Sequence, residues 1–175
     1  MRGDILMTPA ITVGDLNSTE RGTGARANGG KPAVELIPYR VIAENVLRRL
    51  PPADPKRPTA LALLALGRFQ ERGAADDLHD AIDALGASWE DCAAVLEYGR
   101  RKYAAWNWAR GMPWSVCLGC AGRHCLAILR GEEADPESGL PHRAHVLCNL
   151  VFLLHYVKHY SEGDDRMGEE CVRRV

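Results

Sequence analysis

From Tyr39 onward, apolar residues recur at the three-to-four-residue spacing of helices with one buried face. Val41, Ile42, Val46 and Leu50 predict a first helix over Tyr39 to Leu50, ended by Pro51-Pro52. Pro55 and Pro58 mark a loop, and LALLALGRF predicts a second helix from Thr59 to Glu71. Gly73 separates it from a third, Ala75 to Leu85, with Leu78, Ile82 and Leu85 on one face and Asp76, Asp80 and Asp83 opposite. Gly86 is the expected stop. Ser88 to Asp91 resembles a capping box and opens a helix to Tyr103. A polar, aromatic loop follows (AAWNWARGMPW). Pro113 then opens a helix to Arg130, which Gly131 stops, and Pro141 opens the last, to Tyr160. No run alternates with the period of two that a half-buried strand requires. The expected fold is all-α, a bundle of about five or six helices.

The flanks differ in texture. Residues 1–30 are Gly-rich without apolar periodicity, which predicts a mobile arm. Residues 31–160 read as one helical domain, opened by an extended lead-in (KPAVELIP), and residues 161–175 as a charged tail.

Composition narrows the class. Of 175 residues, 46% are apolar, enough for a core, and the formal net charge of -1 provides no basic footprint for nucleic acid. The longest apolar run, Val146 to Val157, is broken by Asn149 and His155 and is too short to span a bilayer. The N-terminus lacks a basic start followed by an apolar run, and Cys117, Cys120 and Cys125 cluster too closely for a disulfide framework. Both observations predict a reducing, cytoplasmic location.

Candidate chemistry concentrates between Arg123 and Asn149. Glu132, Glu133, Asp135 and Glu137 crowd one turn, with His124 before it and His142 and His145 after it. Pro136 gives the turn a means to bend so that Asp135 and Glu137 can face one ion. On the last helix His142, His145, Asn149, Phe152 and Tyr156 share one face, while the other faces are apolar. A polar stripe on a buried helix needs partners, because each unsatisfied group costs about 1–3 kcal/mol. It is either a hydrogen-bond network between helices or one wall of a metal or substrate site. The acids upstream favour the second, and oxygen-rich ligand sets suit Mg²⁺ and Mn²⁺.

Other patterns carry less. Cys117-x-x-Cys120 with His124 resembles half of a zinc site but has no second pair, and the thiols fall at helical core spacing. A zinc-binding structural or regulatory protein is the alternative this leaves. His79-Asp80 suggests an HD-type triphosphohydrolase, yet no histidine precedes it in the chain. Trp106 and Trp108 follow Arg100, Arg101 and Lys102, a pairing of rings and cations able to hold a base and phosphate. Neither a P-loop nor a Rossmann fingerprint is present.

Taken together, Gly30-Lys31-Pro32 with Glu35 and Pro38, Tyr98-Gly99, Lys102-Tyr103, Asn107-Trp108, Gly111 and Trp114 form one pattern. It continues through Arg123-His124, Gly131-Glu132, Asp135, Glu137-Ser138-Gly139, His142, His145 and Asn149. It resembles the phage dATP/dGTP diphosphohydrolase family, MazZ and its relatives, distant MazG-like all-α pyrophosphohydrolases. The likeness covers about Lys31 to Tyr160, with Arg57 to Gly86 as an apparent insertion. It implies metal-dependent hydrolysis of dGTP or dATP to the monophosphate and diphosphate. In phages that build 2-aminoadenine into DNA, this would supply dGMP in the host cytoplasm. It also implies a homodimer or homotetramer, with no nucleic-acid or membrane partner. Where MazG-like proteins carry acids on the last helix, this chain has His142, His145 and Asn149. A mixed ligand set leans toward Mn²⁺ over Mg²⁺. The expected ligands or their supports are His124, Glu132, Asp135, Glu137 and His145. A carboxylate or His142 would position or deprotonate the water. Lys31, Lys102 and Arg123 would contact phosphates, with Asn107, Trp108 and Asn149 along the substrate.

Overall fold

The computed structural model describes residues 13–166. They form six helices: α1 (Tyr39–Leu47), α2 (Arg57–Arg72), α3 (Ala75–Leu85), α4 (Trp89–Tyr103), α5 (Trp114–Arg130) and α6 (His142–His159). The only β-type pairings among the described residues are isolated bridges, Val13 with Arg26 and Ala134 with Pro141. The fold is the all-α bundle that the periodicity predicts.

Helix ends follow local chemistry. Helices α2, α3 and α5 each stop on a glycine in the left-handed region. Ser88 caps α4 by accepting from the Asp91 N–H at 3.2 Å. Its hydroxyl in turn donates to the Glu90 carboxylate, two residues on, at 2.8 Å. Pro113 and Pro141 occupy the N-cap in extended backbone, one residue earlier than the first-turn position expected of them.

Helix α6 is the central element. Its buried set (Ala144, Val146, Leu147, Leu150, Leu153 and Tyr156 among others) surrounds most of its circumference, and α3, α4 and α5 pack on it. Helix α2 packs against α1, α3 and α5. Leu63, Leu66, Phe69, Leu78 and Leu85 are fully buried, so the apparent insertion builds core. The buried Asp77 carboxylate joins α2 to α3 by accepting from Arg68 Nε at 2.9 Å and Arg72 Nε at 2.7 Å.

Both flanks dock where described. The arm expected over residues 1–30 is, from Val13 on, laid against the bundle. The Gly24 N–H donates to the Gly111 carbonyl, the Ala25 N–H donates to Asn107 Oδ1 (both 2.8 Å), and Ala25 and Ala27 are buried. Residues 1–12 lie outside the described residues. In the expected tail, Asp165 accepts from the Ser115 N–H at 2.8 Å. The Arg166 guanidinium lies over the Phe69 and Trp114 rings and donates to the Phe69 carbonyl at 2.8 Å. Residues 167–175 lie outside the described set.

Candidate functional site

The acidic turn is an ordered reversal between α5 and α6. The Asp135 N–H donates to the Leu140 carbonyl at 2.9 Å, the Gly139 N–H to the Asp135 carbonyl at 2.8 Å, and the His142 N–H to the Glu133 carbonyl at 3.0 Å. Gly139, at φ 72°, supplies the left-handed residue that closes it. The bend that Pro136 makes possible takes Asp135 and Glu137 to the wall of one cavity of about 380 Å³.

Three imidazoles and Asp135 meet at that wall and just behind it. His124 from α5 stacks on His145 from α6, with centroids 4.5 Å apart, and its Nδ1 lies 2.8 Å from His142 Nδ1. Ser138 Oγ donates to Asp135 Oδ2 at 2.8 Å and lies 2.8 Å from His145 Nε2. With that hydroxyl proton committed to Asp135, His145 must donate through Nε2, which leaves its Nδ1 an acceptor. Burial, reinforced by the neighbouring His124, pushes His145 down to about 4, and the same two causes lower His142. Burial alone would raise Asp135. The Ser138 hydroxyl and N–H and the imidazoles outweigh it, holding the carboxyl below its ordinary range. At neutral pH the group is therefore two neutral imidazoles, a third beside them and a carboxylate.

Potential ligand atoms of His124, Asp135 and His142 lie within 4.8 Å of one another, the one such group among the described residues. His142 Nε2 is buried without a hydrogen-bond partner, and Glu132 stands 3.8 Å away. An orphaned imidazole nitrogen beside a carboxylate fits a divalent cation, and two imidazoles with one carboxylate suit Mn²⁺ or a later first-row ion better than Mg²⁺.

The rest of the cavity divides into ionic and aromatic walls. Lys102 pairs with Glu137, Lys31 lies 3.8 Å from the same carboxylate, and the Tyr98 hydroxyl donates to it at 3.3 Å. The Lys102 bond leads in lowering Glu137. Trp108 stacks on Phe152 at 4.6 Å and 10°, and Trp106 stands exposed beside it. The Trp108 carbonyl accepts from the buried Tyr156 hydroxyl at 2.6 Å, which anchors the aromatic loop to α6.

Of the residues expected at the site, Lys31, Lys102, Asn107, Trp108, His124, Asp135, Glu137, His145 and Asn149 line this cavity. His142 sits behind it, joined through His124. Glu132 pairs with Arg130 at 2.8 Å and is outside the lining. Arg123 is also outside: it donates to the Pro32 carbonyl at 3.0 Å and Asn28 Oδ1 at 2.7 Å, so it holds the lead-in segment in place of facing the cavity. The five cysteines among the described residues are buried, and none of them joins the candidate ligand group. Cys120 lines the cavity beside Arg26; burial would raise its thiol, yet Arg26 and His124 bring it down to about 5. His79 is exposed, and Asp80 pairs with Arg68 at 2.6 Å, away from the histidine group. Sequence reasoning missed Arg26 altogether and gave Tyr98 and Ser138, both part of the family pattern, no role at the site. Ser138 also had a local signal, as a hydroxyl three residues after an aspartate in a turn.

No helix among the described residues is long and apolar enough to cross a membrane. No solved structure matches the chain. A dATP/dGTP diphosphohydrolase of Salmonella phage PMBT28 is 34% identical over 86 residues, 49% of this chain and 29% of the relative, so the chain spans less than a third of that protein's length. The family model described as dATP/dGTP diphosphohydrolase, N-terminal, matches residues 79–166. That stretch runs from α3 through the aromatic loop, both histidine-bearing helices and the acidic turn. With half of its length matched across the cavity walls, the chain belongs to the dATP/dGTP diphosphohydrolase N-terminal family.

Proposed function

We propose that the chain is a divalent-metal-dependent hydrolase of purine deoxynucleoside triphosphates, converting dGTP or dATP to the monophosphate and diphosphate. The observation that carries this reading is the order of side chains along α6. His145, Asn149 and Phe152 face one cavity in turn. Seven residues at 1.5 Å rise separate the first from the last by about 10 Å. That is about the reach of a nucleotide from its phosphates to its base. The ring of a purine would stack on Trp108, which Phe152 backs, and the triphosphate would extend toward the histidine group.

A bound divalent cation would neutralise phosphate charge and acidify a water. His124, Asp135 and His142 are the residues that would hold it, with Asp135 offering Oδ1 because Ser138 occupies Oδ2. His145, proton-bearing at Nε2, keeps Nδ1 as the acceptor able to orient a water for attack on phosphorus. Lys31 and Lys102 place positive charge beside the leaving diphosphate, with Glu137 fixing both. In a phage that builds 2-aminoadenine into DNA, the dGMP released would feed that synthesis. Self-association to a homodimer or homotetramer belongs to the same reading and is measured by sedimentation.

The test is incubation of the purified chain with each of the four dNTPs and either Mn²⁺ or Mg²⁺, with products resolved by chromatography. The expected products are a purine deoxynucleoside monophosphate and diphosphate. Release of intact triphosphate and a nucleoside would transfer the chain to the HD-type reaction, and no turnover with either metal would end the enzyme reading.

A further inference from the structure

Four cationic side chains line the cavity: Arg26, Lys31, Arg100 and Lys102, of which Arg100 is paired with Glu97 at 2.8 Å. The two lysines share one counter-ion, Glu137. The surroundings of Arg26 are different. Its Nη2 lies 2.6 Å from Cys120 Sγ, and no carboxylate among the described residues is within ion-pair distance of it. A guanidinium stays charged at every working pH and offers five donors in a planar fork. Cys120 Sγ, whose thiol Arg26 itself draws down, engages one of them, and the rest of the fork keeps donors for a second anion.

The position is built. The Arg26 N–H and carbonyl both pair with Val13, at 2.8 and 3.2 Å. On either side, the Ala25 N–H donates to Asn107 Oδ1 at 2.8 Å and the Ala27 N–H to the Tyr103 hydroxyl at 3.2 Å. The segment is thus fixed to the end of α4 and the aromatic loop, with the guanidinium directed at the cavity.

We propose that Arg26 is an anion-binding residue of the cavity and that its ligand is a polyphosphate chain, gripped by the guanidinium fork. The inference rests on the nucleotide reading above and extends it to a segment that precedes the family-matched residues 79–166. Among the cavity's cations, Arg26 alone can accept a phosphate without first giving up a carboxylate. Its planar fork matches two phosphate oxygens at once.

The test is calorimetric titration of metal-free protein with inorganic triphosphate. Arg26→Gln is expected to weaken binding by about 10- to 100-fold, and Arg26→Lys by less, because a point charge lacks the fork. Binding by Arg26→Gln within about twofold of wild type, or no binding by wild type, overturns the proposal. Should Arg26→Gln lose its helical signal, Cys120→Asp decides: it leaves Arg26 in place but supplies a permanent carboxylate. Weakened triphosphate binding is then expected, and unchanged binding overturns the proposal. Parallel dNTP assays separate the two claims. Arg26-dependent triphosphate binding without dNTP turnover removes the hydrolase reading alone. Turnover by Arg26→Gln with KM and kcat unchanged removes the Arg26 assignment alone.

Discussion

Two glycines in helix interiors should respond in opposite directions to the same substitution. Gly122 of α5 faces Tyr39 at the start of α1, and a methyl group there would stand 2.3 Å from the Tyr39 hydroxyl oxygen and 2.6 Å from Cζ. Tyr39 is fully buried and its hydroxyl donates to the Leu118 carbonyl at 2.9 Å, so the ring cannot retreat without abandoning that bond. Helix propensity alone favours alanine by about 0.8–1 kcal/mol. Against this stand overpacking, about 1–3 kcal/mol, and an unmade buried hydrogen bond, about 1–3 kcal/mol. Gly122→Ala is therefore expected to destabilise the protein by roughly 1–5 kcal/mol. Gly99 of α4 has no atom within 4 Å of the added methyl, so Gly99→Ala should keep the propensity gain, about 0.8–1 kcal/mol. Urea unfolding followed by circular dichroism, with a shared m-value, measures both. Gly122→Ala as stable as wild type, or both variants moving the same way, would refute the steric argument.

Further predictions concern the site. Asp135→Asn keeps an oxygen for the two Ser138 bonds, so stability should change by only about 1 kcal/mol. dNTP turnover should fall about 100-fold or more, and activity close to wild type would remove Asp135 from the site. His145, at about 4 when folded against an ordinary 6.5, binds its proton more weakly in the folded state. Its contribution is complete above pH 6.5 and is lost as pH falls toward 4, on the order of 3 kcal/mol. Urea midpoints of metal-free wild type and His145→Asn at pH 4.5 and 7.5 test this, with parallel pH dependence as the contrary result. Trp108→Ala removes the 4.6 Å stack with Phe152 and should raise KM by about 5- to 100-fold, the range of one base stack, while kcat moves less. A change confined to kcat would place the base elsewhere.

The helices were legible because their signals are local. Leu78, Ile82 and Leu85 mark the α3 face, and Gly86 its end, and α3 begins and ends where the spacing predicts. The proline positions at α5 and α6 shifted by one residue, since a proline ahead of a helix serves equally as cap or first turn. The acidic turn and the histidine stripe were legible as chemistry because a few residues of chain hold them close. Arg26 was not, because a Gly-rich segment with no periodicity carries no sign of where its backbone will pair. Val13 as partner of Arg26, and Asn107 and Tyr103 as partners of Ala25 and Ala27 on either side, are revealed only by the fold. Arg123 shows the converse. Next to His124 in sequence, it points from α5 toward the lead-in segment, since adjacent residues on a helix face different ways.

The enclosure of α6 constrains how such a site can change over generations. His145 and Asn149 belong at once to the cavity wall and to the packed interior, and His142 lies buried just behind that wall. A substitution that retunes chemistry there also alters packing, and any new preference must survive a loss of folding stability. Within the aromatic loop the exposed residues Ala104 to Trp106, unlike the buried Asn107, carry no such double burden, and neither does the exposed end of α4. Relatives with different base preferences are therefore expected to differ mainly in that loop, while the three α6 residues stay fixed.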